Sequence, residues 1–177
     1  MKILAQLLGI CAMASIFLAY QQSKRKNLLY NKLCADVCWG THYLLLGGIA
    51  GMVPNIVGIF RELVFIHREN KKWANCILWP CLFIAINWIL GFMTFTSLFN
   101  ILPIFGSTLV TISLWVNNPK LTKCISLPVH ICFFVYDIFV LSYVGMLNEV
   151  IGICSIVITF FSKKGKDDKL QELLKSE

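Results

Sequence analysis

Cys38 to Gly58 reads CWGTHYLLLGGIAGMVPNIVG, and 94 residues later Cys132 to Gly152 reads CFFVYDIFVLSYVGMLNEVIG. Each stretch is two apolar runs joined at a short break, Gly47-Gly48 in the first and Ser142-Tyr143 in the second. The leading Cys, a Gly-Met pair and the final Gly recur at the same offset. Asn55 answers Glu149, His42 answers Tyr136 and, just upstream, Asp36 answers His130. Further upstream, with two residues of slippage, Ser15-Ile16-Phe17-Leu18-Ala19-Tyr20 parallels Thr111-Ile112-Ser113-Leu114-Trp115-Val116. The pattern predicts one three-helix unit used twice.

Working outward, the apolar segments fall at 3–20, 28–47, 49–66, 73–93, 98–116, 121–141 and 144–162. A helix of ~20 apolar residues crosses the hydrocarbon core, because each residue rises ~1.5 Å through ~30 Å. Hydrophobic residues make up 58% of the 177 and charged residues 14%, with a mean hydropathy of +0.73. That is too little charge to solvate a water-soluble surface. A membrane β-barrel alternates apolar and polar residues, and runs such as Ile156-Val157-Ile158-Thr159-Phe160-Phe161 do not. The expectation is an all-α integral membrane protein of seven transmembrane helices. The second segment is the most polar, with Asn31, Lys32, Asp36 and His42, so it is expected to face other helices rather than lipid.

The net charge of +7 is placed for a membrane, not for nucleic acid. Apart from Lys2, every Lys and Arg lies near the first connection (24–32), the third (61–72), the fifth (120–123) or in the tail (163–175). With seven spans these four places share one side, which the positive-inside rule makes cytoplasmic. The amino terminus is then outside and the carboxyl terminus inside. Residues 3–20 also resemble a cleavable signal peptide, but Lys24-Arg25-Lys26 directly after the run opposes export. The eight cysteines lie in or beside apolar segments, where they read as small hydrophobes in helix packing rather than a disulfide framework.

Three helices are an odd number, so a directly joined second copy would be inverted. The fourth helix restores the orientation and makes the copies parallel. The expected division is 1–70, a linker helix within 71–97, 98–162, and a basic cytoplasmic tail at 163–177. Parallel three-helix halves are the plan of SWEET proteins. The residues resemble another group more closely. Tyr30 to Arg61, including His42-Tyr43-Leu44-Leu45-Leu46-Gly47, is similar to the YgjV family of bacterial inner-membrane proteins. So are Leu102-Pro103-Ile104-Phe105-Gly106-Ser107-Thr108, Leu114-Trp115 and the Gly145-to-Glu149 region. The resemblance covers nearly all of the chain but the tail. It implies a bacterial cytoplasmic membrane and, at greater distance, SWEET- and PnuC-type carriers, without an assigned activity. The sequence departs from SWEETs in having no Pro-Gln pair, and Pro128 answers Cys34, so symmetric proline hinges are missing.

Ionisable residues inside a span are costly and mark candidate function. Asn55 and Glu149 are expected to flank a central cavity, where an amide and a carboxylate bind a polar solute or carry a proton. Asp36 and His42 suit proton coupling, since imidazole titrates near neutrality, with interhelical hydrogen bonding the plainer alternative; His130 and Tyr136 stand at their equivalent positions. Arg61 reads as a snorkelling side chain at the cytoplasmic boundary or, pointing inward, as an anion anchor. Asn87 and Trp88 lie in the linker helix and Trp39 follows Cys38, as candidate platforms for a ring-shaped solute or as packing. Cys34, Cys38 and His42 share one helix face, but one helix cannot complete a tetrahedral metal site. No catalytic signature or cofactor motif is visible. Leu170, Leu173 and Leu174 fall on one face of a short tail helix, suited to the inner leaflet. These features point to a carrier or facilitator for a small polar solute, not an enzyme. The alternative is a non-transporting scaffold, assembly protein or sensor. The bilayer is the expected partner, with a solute and a second copy of the chain as further candidates.

Overall fold

The computed structural model describes residues 2–22, 24–116, 119–154 and 156–157. Among them there is no strand. Seven helices follow in order: α1 Lys2–Gln21, α2 Arg25–Leu46, α3 Ile49–Ile66, α4 Leu78–Met93, α5 Ile101–Val116 and α6 Pro119–Val140, then α7 Tyr143–Cys154. Three stretches, Lys2–Ala19, Ile49–Ile66 and Leu98–Val116, are long and apolar enough to cross a membrane, and α4, α7 and much of α6 are shorter apolar helices. The tail at 163–177, with its leucines and lysines, lies outside the described residues, as do the side chains of Lys120, Lys123 and Cys124.

The expected boundaries hold with local shifts. The fourth segment, expected from 73, begins its α-helix at Leu78, because Lys72–Ala74 forms a separate 3-10 turn. Pro80 then sits in the first turn of α4, where its missing N–H has no helical acceptor to lose. The second segment starts earlier, at Arg25, after the extended Lys24.

The two breaks in the quoted stretches close in the same way. Gly47, in the left-handed region at φ 78°, ends α2, and the Gly48 N–H returns to the Tyr43 carbonyl at 2.8 Å. Leu141, at φ 54°, ends α6, and the Ser142 N–H returns to the Asp137 carbonyl at 2.9 Å. Both are Schellman-type ends. In the second a leucine occupies a conformation that costs an L-residue roughly 1–2 kcal/mol.

Close approach behind each break depends on glycine. A Cβ at Gly58 would lie 2.3 Å from Asp36 Oδ2, and one at Gly152 would lie 2.4 Å from His130 Cε1. One turn or two nearer the break, Gly51 clears Tyr43 and Gly145 clears Asp137 in the same manner. In each case both members of the second pair stand 94 residues after those of the first. α1 packs on α2 and α2 on α3, α5 packs on α6, and α4 bridges α3 and α5.

The molecule exposes large apolar side chains and buries charged and polar ones among its apolar core. Phe17, Phe60, Ile89, Phe92, Ile131 and Phe139 are exposed, whereas Asp36, His42, Arg61, Glu62, Asn87, Asp137 and Glu149 are buried. Water-soluble folds show the reverse. Lipid solvates the outer face, and the polar groups satisfy one another inside.

Candidate functional site

A cavity of about 210 Å³ lies among α1, α2, α3, α5, α6 and α7. Helical spacing explains its walls. Lys32, Asp36, Trp39 and Tyr43 follow at i, i+4, i+7 and i+11 on α2, and all four line it. Asn55 and Arg61 come from α3, Ser107 and Ser113 from α5, His130 and Phe133 from α6, and Asn148 and Glu149 from α7.

On one wall two cations and two anions interlock. Arg61, 2% exposed, donates Nε and Nη2 to the two oxygens of Glu62 at 3.0 and 3.1 Å, and Nη1 to Thr111 Oγ1 at 2.8 Å. Lys32 Nζ reaches Asp36 Oδ1 at 2.9 Å and Glu62 Oε1 at 3.2 Å. Arg61 Nη2 stands 3.8 Å from Asp36 Oδ2, an oxygen with no hydrogen-bond partner. Buried charges at this depth persist only when paired and hydrogen-bonded, and the cluster meets that condition within α2, α3 and α5.

On the opposite wall His130 Nδ1 meets Glu149 Oε2 at 2.5 Å, and Asn148 Nδ2 donates to Glu149 Oε1 at 2.8 Å. Asn55 Nδ2 donates to the Gly51 carbonyl at 2.7 Å.

Beside the cavity, at the ends of α2 and α6, a second polar cluster ties the two helices together. Tyr43 donates its hydroxyl to Asp137 Oδ1 at 2.8 Å, and the Gly51 N–H donates to Tyr136 Oη at 2.8 Å. His42 Nδ1 lies 2.6 Å from the Ala5 carbonyl and Nε2 lies 2.7 Å from Ser142 Oγ. A carbonyl only accepts, so Nδ1 carries the hydrogen; in the neutral ring Nε2 accepts from the serine hydroxyl.

The structure therefore brings Asp36, Asn55, Arg61, His130 and Glu149 to one cavity, and puts His42 and Tyr136 in the adjoining cluster. Asn87 is elsewhere: its Nδ2 donates to the Ile104 carbonyl at 3.0 Å, joining α4 to α5. Trp88 likewise donates to Thr108 at 3.1 Å, while Trp39 lines the cavity. Arg61 points inward and is held by Glu62 and Thr111 rather than snorkelling. Cys34 is exposed and Cys38 half-buried, and no group of three metal-ligating side chains forms among the described residues. The sequence analysis does not single out Lys32, Glu62, Asp137, Ser142 or Asn148 as site candidates. The i, i+4 spacing of Lys32 and Asp36 was the available signal for the first. For Asp137 it was the 94-residue offset from Tyr43.

Apolar helices with ionic groups interlocked between them define an integral helical membrane protein with lipid on its outer face. Residues 3–166 match the family model of Imp-YgjV, described as bacterial inner membrane protein, and the chain belongs to that family. It is accordingly a protein of the bacterial cytoplasmic membrane. No curated protein and no solved structure matches the chain.

Proposed function

We propose that the chain is a carrier or facilitator for a small polar solute, with its path between two parallel three-helix units joined by α4. Seven spans, with the carboxyl terminus in the cytoplasm, follow from the charge distribution. The observation that carries the reading is the cavity itself. It is a space inside a membrane protein, largely apolar in its lining but carrying Lys32, Asp36, Asn55, Arg61, His130 and Glu149, and walled by α1, α2 and α3 of one unit and by α5, α6 and α7 of the other. Asn55 and Glu149, equivalent at the 94-residue offset, both line it.

The unit boundaries are supported by reciprocal contacts. Gly48 of the first unit lies against the Tyr136 hydroxyl of the second, and their counterparts Ser142 and His42 are hydrogen-bonded. Tyr43 and Asp137, equivalent to each other, touch directly. A contact i to j matched by j to i is the signature of a two-fold relation. The axis passes by the Tyr43–Asp137 hydrogen bond, which on the orientation above closes the outer end of the path.

A scaffold reading has one observation in its favour: Lys32 and Arg61 balance the charges of Asp36 and Glu62 without a solute. Uptake into proteoliposomes separates the two. A panel of labelled sugars, nucleosides, vitamins and amino acids is expected to include one with saturable uptake, lost in Asn55→Ala and Glu149→Gln. Folded protein that moves none of them favours the scaffold.

A further inference from the structure

We propose that the His130–Glu149 pair is the proton-binding site of this cavity and makes the proton its coupling ion, an inference that rests on the carrier reading for its role in transport. The argument is one of charge. Lys32 and Arg61 offset Asp36 and Glu62 one for one, through the contacts at 2.9 to 3.8 Å given above. Glu149 is the carboxylate left over among the described groups lining the cavity. Among the described residues its basic neighbour within ion-pair reach is an imidazole, at 2.5 Å.

The equivalent positions of the two units differ in kind. Asp36 and His130 each lie in a space cleared by a glycine, Gly58 and Gly152. At the first, charge is balanced by a lysine and an arginine, which stay protonated. At the second it is balanced by the one side chain type that gains and loses charge near neutrality. With the ring neutral, Nδ1 donates to Glu149 and the pair carries one negative charge. A proton added at Nε2 makes it imidazolium-carboxylate and neutral. No other bond forms or breaks.

The groups around the pair leave this role to it. From α2 come Lys32, Asp36 and Tyr43, and from α3 come Arg61 and Glu62. α5 brings only the hydroxyls of Ser107, Thr111 and Ser113. On α6 itself, Cys132 is half-buried, Tyr136 accepts from the Gly51 N–H, and Asp137 accepts from Tyr43. Asp137 is the other buried carboxylate without a cation, but it does not line the cavity. His42, held between Ala5 and Ser142, does not line it either. Proton coupling therefore passes from His42, a sequence candidate, to His130.

The test needs no substrate. Full-length protein with isotope-labelled imidazole is placed in lipid nanodiscs and its three histidines are followed by NMR, with His130→Gln assigning the signal. Across the pH range in which the protein stays folded, acidification is expected to take the His130 ring from its neutral to its doubly protonated form. In Glu149→Gln the doubly protonated form is expected to be lost from that range, because the carboxylate that pairs with the cation is gone. Glu149→Asp, which keeps the charge, restores it, and a melting curve for each variant separates misfolding from lost binding. A ring fixed in one state across that range, or a titration indifferent to Glu149→Gln in folded protein, overturns the proposal. For any solute of the uptake panel that is transported, an imposed pH gradient should alter the rate in the parent and not in His130→Gln; a parent rate indifferent to the gradient overturns the coupling. Absence of uptake across the panel counts against the carrier reading alone, and the titration still decides the proton site.

Discussion

Arg61→Met replaces the guanidinium by an apolar chain of similar length and leaves its partners in place. Glu62, 0% exposed, loses two hydrogen bonds at 3.0 and 3.1 Å, and Lys32 is left to face two carboxylates. Removing one member of a buried ion pair costs ~3–5 kcal/mol, because the other charge stays uncompensated in a poor solvent for it. At roughly 2–4 °C per kcal/mol for a chain of this size, the melting temperature should fall by on the order of 10 °C. The double variant Arg61→Met/Glu62→Met removes one charge of each sign and leaves Lys32 on Asp36. Pairs of this kind are replaced by apolar residues at little cost. The double variant should therefore melt well above either single one, with a coupling energy of ~2 kcal/mol. Melting of protein in nanodiscs, followed by tryptophan fluorescence, supplies the readout. If Arg61→Met melts within about 2 °C of the parent, or the double falls by the sum of the singles, the interlocked cluster is not what holds α2 to α3.

Gly152→Ala puts a Cβ 2.4 Å from the His130 ring; the gain in helix propensity of ~1 kcal/mol does not cover the repacking at ~1–3 kcal/mol, so a small loss of melting temperature should accompany loss of the His130–Glu149 contact by NMR. Tyr43→Phe deprives Asp137, itself fully buried, of its 2.8 Å donor, and should destabilise by ~1–3 kcal/mol in the same melting assay. Asn87→Ala breaks an α4–α5 hydrogen bond outside the cavity. It should lower the melting temperature slightly, by ~1 kcal/mol, and leave any uptake constant unchanged, whereas Asn55→Ala should abolish uptake.

Helix number and placement were legible because bilayer thickness fixes the length of an apolar run and glycine marks its end. The break at Leu141-Ser142 was readable only through its counterpart Gly47-Gly48, since a leucine in the left-handed region gives no signal of its own. The cavity residues were half legible. Asp36, Asn55, His130 and Glu149 stand out as polar positions matched between the stretches at 36–58 and 130–152. Their partners do not, because pairing across helices depends on rotation about each helix axis, which one sequence does not encode locally. Arg61 illustrates this: near the carboxyl end of α3, either snorkelling or inward pairing suits its position, and Thr111, 50 residues away, decides between them.

A path between the two units requires water in the cavity, and cysteine accessibility reads that most directly. In protein with its eight cysteines replaced, single cysteines are placed at the cavity-lining Ser113 and Val129 and at the lipid-facing Ile112 and Ile131. A thiol reacts as its hydrated thiolate. A charged, membrane-impermeant thiol reagent should therefore modify positions 113 and 129 at least roughly tenfold faster than 112 and 131. Equal and negligible reaction at all four, in protein that melts like the parent, would contradict a solute path between the units.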